Sequence, residues 1–248
     1  SNVVFVVVEN PRETLARCAA LWFEQQPAQI VAVTGTNGKT SVASFCQQIW
    51  SNLDIEAVSI GTNGVRGALT QPLRHTTPDA LEMHQLFFNL KANGIDHVAL
   101  EASSHGLDQS RLDGVQFAGA CFTNFSQDHL DYHKSKDDYF EAKALLFRQL
   151  LTSDKTAVFN VNNNRIKLLA EELKSQGNLV VTLGKSKGSN IQLKRQTFDS
   201  SGQEVFFKYD GILYQKRLNL IGGFQAENVL MAAALVISLG SEPQDVFN

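Results

Sequence analysis

The sequence predicts an α/β fold: a mainly parallel sheet with helices on both of its faces, together with a small antiparallel sheet. Short apolar segments alternate with helical segments along most of the chain, and this alternation is typical of parallel strands joined by helices. The glycine-rich turn GTNGK lies between one such apolar segment and a helix. The segment 190–219 contains three strand-like stretches separated by turn signals, which predicts an antiparallel meander.

The individual elements are predicted from the spacing of their apolar residues. Short continuous apolar runs predict buried strands at 3–8, 30–34, 56–60, 97–100, 116–122, 157–161 and 179–183. Helices are predicted at 11–24, from Lys39 onward, at 78–91 and at 224–239, and Pro11 suits the first turn of its helix. In the helix after GTNGK, apolar residues recur at helical spacing: Val42, Phe45, Cys46, Ile49 and Trp50.

The composition is that of an ordinary globular protein. Of the 248 residues, 43% are hydrophobic and 19% are charged, and 22 Lys and Arg against 25 Asp and Glu give a net charge of −3. Since the basic residues do not cluster, no nucleic-acid partner is expected. The three cysteines are far apart, so a reducing cytoplasm is expected rather than a disulfide framework. No apolar run is long enough to span a bilayer, so no membrane insertion is expected. The protein is expected to be a monomer.

The segment GTNGKTS, residues 35–41, has the features of a phosphate-binding loop. The first N–H groups of a helix lack intrahelical partners, which favours an anion there. Gly35 and Gly38 let the backbone approach a phosphate, Lys39 can reach the outer phosphates, and the Thr40 hydroxyl can bind magnesium. Val33 stands where the full pattern has glycine. The alternative is a turn with a solvated lysine, but Gly-Lys-Thr after a buried strand favours phosphate binding and a sheet of the P-loop type.

Polar residues follow two of the predicted strands at the point where each ends. Glu101 and then SSH follow one strand, and TNFSQDHLDYH follows the next. In open α/β sheets ligands bind at the carboxyl ends of the strands, and carboxylate, hydroxyl and imidazole groups suit magnesium and phosphate. Taken singly, Glu101 could instead cap the next helix, and His105, His129 and His133 could lie at the surface. Their concentration at successive strand ends favours a site.

Lys143 falls on the apolar face of a predicted helix in DDYFEAKALLFRQLL. With Tyr139 as the zero angle and about 100° per residue, the apolar residues cover an arc of about 160° and Lys143 lies near its middle, at about 40°. One interpretation is a snorkelling lysine whose stem covers apolar surface. The other is a buried amine with a lowered pKa, able to react with carbon dioxide and form a carbamate that suits a metal. The helical pattern alone leaves both open.

Several motifs together resemble those of the Mur ligases, ATP-dependent enzymes that add amino acids to the growing peptidoglycan peptide. TGTNGKTS resembles the family's shortened phosphate loop, and LEASSHGL, TNFSQDHLDYH followed by EAK, and LIGGFQAENVLMA match in order and spacing. The resemblance covers nearly the whole chain and is to the central, ATP-binding domain. TTPDA, SSHGLDQSR and DHLDYH are most similar to members that add the third residue, usually meso-diaminopimelate and otherwise L-lysine, to UDP-N-acetylmuramoyl-L-alanyl-D-glutamate.

The resemblance implies roles for individual residues. ATP would be bound by Gly35, Thr36, Asn37, Gly38, Lys39, Thr40, Ser41 and Asn228. Magnesium would be held by Thr40, Glu101, His129 and Lys143, where Lys143 is carbamylated and is catalytic together with Lys39. The nucleotide-sugar peptide would contact Thr76, Thr77, Ser103, Gln109 and Arg111. Two positions depart from the family pattern: Gln225 stands where many members have asparagine, and His75 stands where some do.

The resemblance also implies a reaction and a domain organisation. In the reaction a substrate carboxylate attacks the γ-phosphate of ATP, and the amine of the incoming amino acid displaces phosphate from the acyl phosphate. The protein would be a bacterial, cytoplasmic ligase with ATP and Mg²⁺ as cofactors and a nucleotide-sugar peptide and an amino acid as partners. Residues 1–27 would be the tail and linker of an N-terminal nucleotide-sugar-binding domain, and residues 28–248 the central ATP-binding domain. With the C-terminal domain absent, we expect this fragment alone to be inactive.

Other functions compete with this prediction. A folylpolyglutamate synthase-like ligase and the other steps of the Mur series share the phosphate loop, but TTPDA with SSHGLDQSR argues against the folate enzyme. A generic P-loop kinase or NTPase would not require Lys143 on an apolar helix face. A non-catalytic nucleotide-binding module is the alternative of another class.

Overall fold

A ten-stranded sheet organises the protein in a computed structural model that describes residues 4–129 and 131–248. The strands are β1 (Gln29–Thr34), β2 (Ala57–Gly61), β3 (Gly64–Gly67), β4 (His97–Glu101), β5 (Phe117–Phe122), β6 (Thr156–Asn160), β7 (Leu179–Gly184), β8 (Ile191–Asp199), β9 (Gly202–Tyr209) and β10 (Ile212–Leu218). The helices are α1 (Pro11–Phe23), α2 (Lys39–Asn52), α3 (Ala80–Ala92), α4 (Ser104–Asp108), α5 (Lys136–Leu145), α6 (Asn164–Ser175), α7 (Phe224–Ser238) and α8 (Pro243–Phe247). A π-helical turn, Leu146–Leu150, directly continues α5.

The sheet is mainly parallel, as predicted. Its strand order is β10-β9-β8-β7-β6-β5-β1-β4-β2-β3, and all neighbouring pairs from β8 to β2 in that order are parallel. β3 pairs antiparallel with β2 at one edge, and β8, β9 and β10 form the predicted antiparallel meander at the other. Leu183 of β7 pairs in parallel with Ile191 of β8. The meander therefore extends the parallel sheet instead of forming a second sheet.

Apolar side chains cover both faces of the sheet, which confirms the predicted two-sided burial. Ile30 of β1 belongs to one buried cluster, together with Phe147 and residues of α3 and α6. Val31, the next residue, belongs to the cluster on the opposite face, with Trp50 of α2 and Met231 of α7. Successive strand residues point to opposite faces, so each central strand contributes to both clusters. Within residues 4–129 and 131–248, no helix has the length and apolar character needed to cross a membrane.

The predicted bounds of the main elements agree closely with the structure. The strand predicted at 30–34 is β1, Gln29–Thr34, and the helix predicted at 224–239 is α7, Phe224–Ser238. The helix predicted at 78–91 begins two residues later, at Ala80, because Asp79 is its N-cap. The Asp79 side chain accepts a hydrogen bond from the backbone N–H of Glu82 at 3.0 Å, which satisfies one of the free N–H groups at the helix start.

The buried strand predicted at 3–8 is wrong for the residues that the structure describes. Val3 lies outside the described residues, and residues 4–8 belong to no strand. The side chains of residues 4–7 are exposed, with Val4 at 84% and Val7 at 96%. An apolar run forms a strand only where a neighbour satisfies its backbone hydrogen bonds. The edge strands β3 and β10 do not pair with this segment.

Helix α1 packs beside α3 on the body of the protein. Asn10 is its N-cap and accepts a hydrogen bond from the N–H of Glu13 at 3.2 Å, and Pro11 occupies the first turn as predicted. Ala16 and Ala19 form the buried face of the helix. Small residues on that face allow the helix to approach the underlying backbone closely.

Candidate active site

Four adjacent parallel strands, β5, β1, β4 and β2, bring their carboxyl ends to the same edge of the sheet. A cavity of about 470 Å³ lies at this edge. Its lining includes members of all three predicted groups: the loop residues 36–40, the metal candidates Glu101, His129 and Lys143, and the substrate candidates Thr76, Thr77, Ser103 and Arg111. A larger depression of about 580 Å³, bordered by Tyr132 and His133, contains no residue of these three groups.

Two glycines shape the turn between β1 and α2. Gly35 has a φ of 144°, and a Cβ atom there would lie 1.9 Å from Thr123 Oγ1. Gly38 has a φ of 86°, and a Cβ atom there would lie 2.6 Å from Asn228 Oδ1. Both positions need glycine for backbone conformation and for space. The loop therefore adopts a conformation that a chain with side chains at these positions could not reach without strain.

The N-terminus of α2 is open to a ligand. Gly38 is the N-cap, and no side chain caps the helix there. The first N–H groups of an α-helix lack intrahelical acceptors, and the helix dipole adds partial positive charge. Thr40 lines the cavity at this end. The geometry therefore suits a phosphate group, as the glycine-rich turn predicted.

The segment that follows β5 holds the loop in place. The N–H of Asn37 donates to Asn124 Oδ1 at 2.9 Å, and Asn124 Nδ2 donates back to Asn37 O at 2.8 Å. Thr123 Oγ1 donates to the same Asn37 carbonyl at 2.6 Å, and Thr36 N donates to Asn124 O at 3.0 Å. Thr123 and Asn124 were not predicted as site residues. The signal for them was their place directly after a strand, within the motif TNFSQDHLDYH.

Lys39 lies against the loop. Its Nζ donates to the carbonyl oxygens of Gly35, at 2.9 Å, and Thr36, at 2.8 Å. Burial lowers the pKa of the Lys39 amine, and the carboxylates of Glu101 and Asp128 partly oppose that shift. The flexible four-carbon stem allows the amine to leave these carbonyls for a phosphate oxygen. Lys39 is therefore placed to serve a phosphate bound at the start of α2.

Lys143 is buried, with 1% of its surface exposed, so its amine does not reach bulk water and the snorkelling interpretation is wrong. Its Nζ donates to Gly35 O at 2.9 Å and lies 4.4 Å from the centroid of the Tyr139 ring. Burial holds the pKa of Lys143 well below its ordinary value, and the positive charge of Lys39 lowers it further. The lowered pKa favours the neutral amine, which is the form that acts as a nucleophile.

Glu101 ends β4 with its carboxylate in the cavity, and it is 2% exposed. The N–H of Thr62 donates to Glu101 Oε1 at 2.8 Å, and the Thr62 hydroxyl donates to Oε2 at 3.3 Å. The alternative that Glu101 caps the next helix is wrong. Ser103 is the N-cap of α4, and its hydroxyl accepts from the N–H of Gly106 at 3.0 Å.

The predicted substrate residues form a connected polar wall. Thr77 Oγ1 donates to the backbone carbonyl of Glu101 at 2.7 Å and lies 3.0 Å from Ser103 Oγ. Arg111 Nη1 donates to Thr77 O at 2.7 Å, and Arg111 Nη2 donates to Gln109 Oε1 at 2.6 Å. Gln109 does not line the cavity itself, but it orients Arg111, which does. Thr76 lines the cavity beside them.

The three histidines of the predicted site lie together. The ring centroids of His105 and His129 are 5.2 Å apart, and those of His105 and His133 are 5.7 Å apart. His105 and His129 line the cavity, whereas His133 borders the larger depression. His133 is 5% exposed, so the surface alternative is wrong for it. Burial lowers the pKa of His105 and of His133, which favours neutral imidazoles.

Asn228 and Ser41 do not line the cavity. Asn228 is buried beneath the loop at Gly38, and its Nδ2 donates to Gln225 Oε1 at 3.2 Å. Ser41 lies in the first turn of α2 and is partly buried. His75, which was left out of the predicted site, does line the cavity.

The sequence matches the family model described as Mur ligase middle domain over residues 33–236. A curated relative from Bradyrhizobium diazoefficiens, a UDP-N-acetylmuramoyl-L-alanyl-D-glutamate–2,6-diaminopimelate ligase, is 42% identical over 254 residues. The match covers 99% of this chain and 52% of that relative. The chain therefore spans about half the length of the curated relatives it matches.

Solved structures share the fold. A structure of a UDP-N-acetylmuramoyl-L-alanyl-D-glutamate–2,6-diaminopimelate ligase has a TM-score of 0.87 and 27% identity, covering 98% of this chain and 50% of that one. The Mycobacterium tuberculosis folylpolyglutamate synthase complexed with ADP and AMPPCP has a TM-score of 0.75 and 17% identity, covering 95% of this chain and 61% of that one. At that identity the second likeness concerns the fold alone.

Proposed function

Because this chain belongs to the Mur ligase family through its middle domain, we propose that it provides the ATP-binding site of an ATP-dependent amide ligase of peptidoglycan precursor synthesis. The substrate is UDP-N-acetylmuramoyl-L-alanyl-D-glutamate, and the added diamino acid is meso-diaminopimelate in preference to L-lysine. The observation that carries the proposal is one cavity that joins a phosphate loop, a buried carboxylate, a buried lysine and a polar wall. The 42% identity to the Bradyrhizobium ligase supports the choice of step.

ATP binds with its phosphates on residues 35–41. The uncapped N-terminus of α2 and the glycines of the loop support this placement. Lys39 moves from its loop carbonyls to the outer phosphates and offsets their charge. Asn228, buried beneath Gly38, supports the loop from below. These contacts position the γ-phosphate for attack by a substrate carboxylate, and positioning is the main demand of phosphoryl transfer.

The residues of the cavity fit magnesium shared with a nucleotide. Within the described residues, no group of three or more His, Cys, Asp and Glu side chains could hold a metal alone. Magnesium is commonly bound by one or two carboxylates together with substrate phosphates, and Glu101 and Thr40 offer such oxygens in one cavity. Thr40, Glu101, His129 and carbamylated Lys143 are the proposed ligands. When bound, Mg²⁺ would offset the charge of the phosphates and of the attacking carboxylate.

Lys143 is proposed to carry a carbamate. The lone pair of its neutral amine attacks the carbon of carbon dioxide, a C–N bond forms, one C=O bond becomes C–O⁻, and the nitrogen loses a proton. The burial of Lys143 and its lowered pKa support the presence of the neutral amine. The product places a carboxylate at the end of a long side chain that lines the cavity.

The polar wall of the cavity is the proposed site for the acidic peptide of the substrate. Thr76, Thr77, Ser103 and Arg111 line the cavity, and Gln109 orients the Arg111 guanidinium. A guanidinium presents a fixed set of donors that matches a carboxylate. The wall therefore suits a peptide with free carboxylates, of which one must face the γ-phosphate.

The organisation of the protein is also a proposal. Residues 28–248 form the central ATP-binding domain and residues 1–27 the tail of a domain that grips the nucleotide sugar. The half-length match to the relatives supports further domains in the whole enzyme. We place the enzyme in the bacterial cytoplasm, where ATP and the nucleotide-sugar precursor are available.

The proposal is tested by ligation with the full-length protein. Purified enzyme is given ATP, Mg²⁺ and UDP-N-acetylmuramoyl-L-alanyl-D-glutamate with either meso-diaminopimelate or L-lysine, and phosphate release and product mass are measured. We expect rapid ligation of meso-diaminopimelate. Parallel reactions with folate and glutamate test the folylpolyglutamate alternative. ATP binding without ligation of any pair would instead indicate a nucleotide-binding module.

A further inference from the structure

Thr62 follows β2 and contacts the buried carboxylate of Glu101 with two donors. Its backbone N–H lies 2.8 Å from Glu101 Oε1, and its hydroxyl lies 3.3 Å from Oε2. The two carboxylate oxygens are thus held by one residue that directly follows β2, the strand that pairs in parallel with β4. Thr62 itself is exposed to the cavity, so water could replace these contacts at little cost to the fold. The two hydrogen bonds from Thr62 therefore orient the Glu101 carboxylate and contribute little to the stability of the fold.

Gly61 makes room for this arrangement. A Cβ atom at Gly61 would lie 2.0 Å from Glu101 Oε1 and 2.5 Å from Glu101 Cδ. Such distances are far below van der Waals contact, so any side chain there would displace the carboxylate. Gly61 is in the strand and has no left-handed backbone. The requirement for glycine is therefore one of space beside Glu101.

The hydroxyl of Thr62 also contacts the polar wall of the cavity, at Thr76. Thr62 Oγ1 lies 3.1 Å from Thr76 Oγ1, and either oxygen can be the donor. A hydroxyl has one proton and two acceptor lone pairs. If the Thr62 proton goes to Glu101, Thr76 must donate its own proton to Thr62. Thr76 then presents only lone pairs to the cavity, where they can accept a hydrogen bond from substrate.

We infer that Thr62 is a positioning residue that orients Glu101 for a divalent cation and links it, through Thr76, to the substrate subsite. The inference rests on the proposed function, since it concerns the same cavity. The chain of contacts runs from the Thr76 hydroxyl to the Thr62 hydroxyl and then to the Glu101 carboxylate. Groups that orient metal ligands commonly contribute about 10-fold to 100-fold in metal affinity or activity.

The test compares Thr62→Val, which keeps the shape but loses the hydroxyl, with Thr62→Ser, which keeps the hydroxyl, in the full-length protein. We expect Thr62→Val to raise the half-saturating Mg²⁺ concentration about 10-fold and to raise KM for the nucleotide-sugar peptide. Thr62→Ser should behave like the wild type. Thr70→Val, a change at an exposed threonine in the loop after β3, is the matched control and should change neither value.

A second measurement does not depend on turnover. Mg²⁺ is titrated in the presence of ADP, and the rise in Tm is recorded, because a ligand that binds the folded state stabilises it. Thr62→Val should need more Mg²⁺ for the same rise. A Thr62→Val protein with the wild-type Mg²⁺ requirement in both assays would overturn the inference, and so would a Thr62→Ser protein that fails like Thr62→Val. Absence of ligation by the wild type would instead refute the proposed function, while the Tm titration would still test Thr62.

The link to Thr76 is tested by a double-mutant cycle. If the two hydroxyls act as one unit, Thr62→Val and Thr76→Val should raise KM for the nucleotide-sugar peptide by less together than the product of their separate effects. Effects that multiply would show that Thr62 orients Glu101 without reaching the substrate subsite, and would overturn that part of the inference.

Discussion

At the scale of single residues, Lys143 has an unusual position, because its amine is buried between the loop carbonyl of Gly35 and the ring of Tyr139. We predict that Lys143→Ala abolishes the proposed turnover of the full-length protein and leaves the fold largely intact. A buried lysine contributes little to a core, and alanine favours a helix. Turnover and circular dichroism measure the two effects. Lys174→Ala, at an exposed position of α6, is the control and should retain activity.

Two further variants separate a carbamate from a simple positive charge. Lys143→Arg should not restore activity, because the guanidinium keeps its charge and cannot form the carbamate. Acetate added to Lys143→Ala should restore part of the activity by supplying a carboxylate in the vacated space. An active Lys143→Arg enzyme, with an unmodified amine in a high-resolution density map of the wild type, would contradict the carbamate.

Lys39 is the second residue whose charge the proposed reaction requires. Lys39→Ala removes the amine that can reach the outer phosphates, and we predict a loss of about 10²-fold or more in the rate of the full-length enzyme, the scale for removing one preorganised electrostatic group. Steady-state kinetics at saturating ATP measure the loss. Near-normal turnover would mean that GTNGKTS is only a turn between β1 and α2.

A site residue could be predicted from the sequence where its type is unusual for its position. Glu101 stands at a strand end, and Lys143 interrupts an apolar helix face, so each could be predicted without knowing which residues surround it in the fold. Thr62 could not be predicted in this way, and the place of Asn124 after a strand did not show that it contacts the glycine-rich loop. Each is an ordinary polar residue in a loop, and its role depends on which strands are neighbours: β2 beside β4 for Thr62, and β5 beside β1 for Asn124. Strand order is a long-range property that local spacing does not encode.

At the scale of elements, the packing of α3 gives a pH-dependent stability. His84 is 2% exposed, its Nε2 lies 3.3 Å from the carbonyl of Asp113, and burial lowers its pKa. In the unfolded chain His84 is protonated as the pH falls through the ordinary histidine pKa of about 6.5. In the folded protein its protonation requires a lower pH. Below about 6.5 the unfolded state therefore binds more protons, and the stability of the folded protein falls as pH falls.

We predict that His84→Leu removes this part of the acid sensitivity. Urea unfolding at about pH 7.5 and about pH 5.5, on either side of the ordinary histidine pKa, measures the free energy of unfolding. The wild type should lose more stability between the two than His84→Leu does. His75→Leu, a change at an exposed histidine, is the control and should lose as much as the wild type. Equal losses in wild type and His84→Leu would contradict the prediction.

Helices and strands were predicted well where their apolar pattern was long and where they pair within the central sheet or pack against it. Helix α6 was missed although its signal was present, with Asn163 as N-cap and buried residues at helical spacing: Ile166, Leu169, Ala170 and Leu173. Strand β3 has four residues, two of them glycine, and carries almost no signal. The strand prediction at 3–8 was wrong although the sequence signal was clear. Residues 4–8 are apolar like a strand, but no strand of the sheet pairs with them.

At the scale of the whole molecule, the chain spans about half the length of the curated relatives it matches. We predict that residues 1–248 alone bind ATP weakly and do not ligate, since in the proposed organisation further domains would deliver the amino acid. Calorimetry with ATP and Mg²⁺ measures the binding, and product mass measures ligation. Turnover by residues 1–248 with nucleotide-sugar peptide and meso-diaminopimelate would refute the expectation.

The joining of the meander to the parallel sheet has a consequence for cooperativity. Every pair of neighbouring strands from β3 to β10 is hydrogen-bonded, and β7 and β8 join the two parts of the sheet. Amides of β9 that exchange with solvent only when the whole domain opens share the free energy of global unfolding. A nucleotide bound beside β1 would raise that free energy. It would therefore slow exchange of those β9 amides, although no residue of β9 lines the cavity, and the meander would report occupancy of the loop.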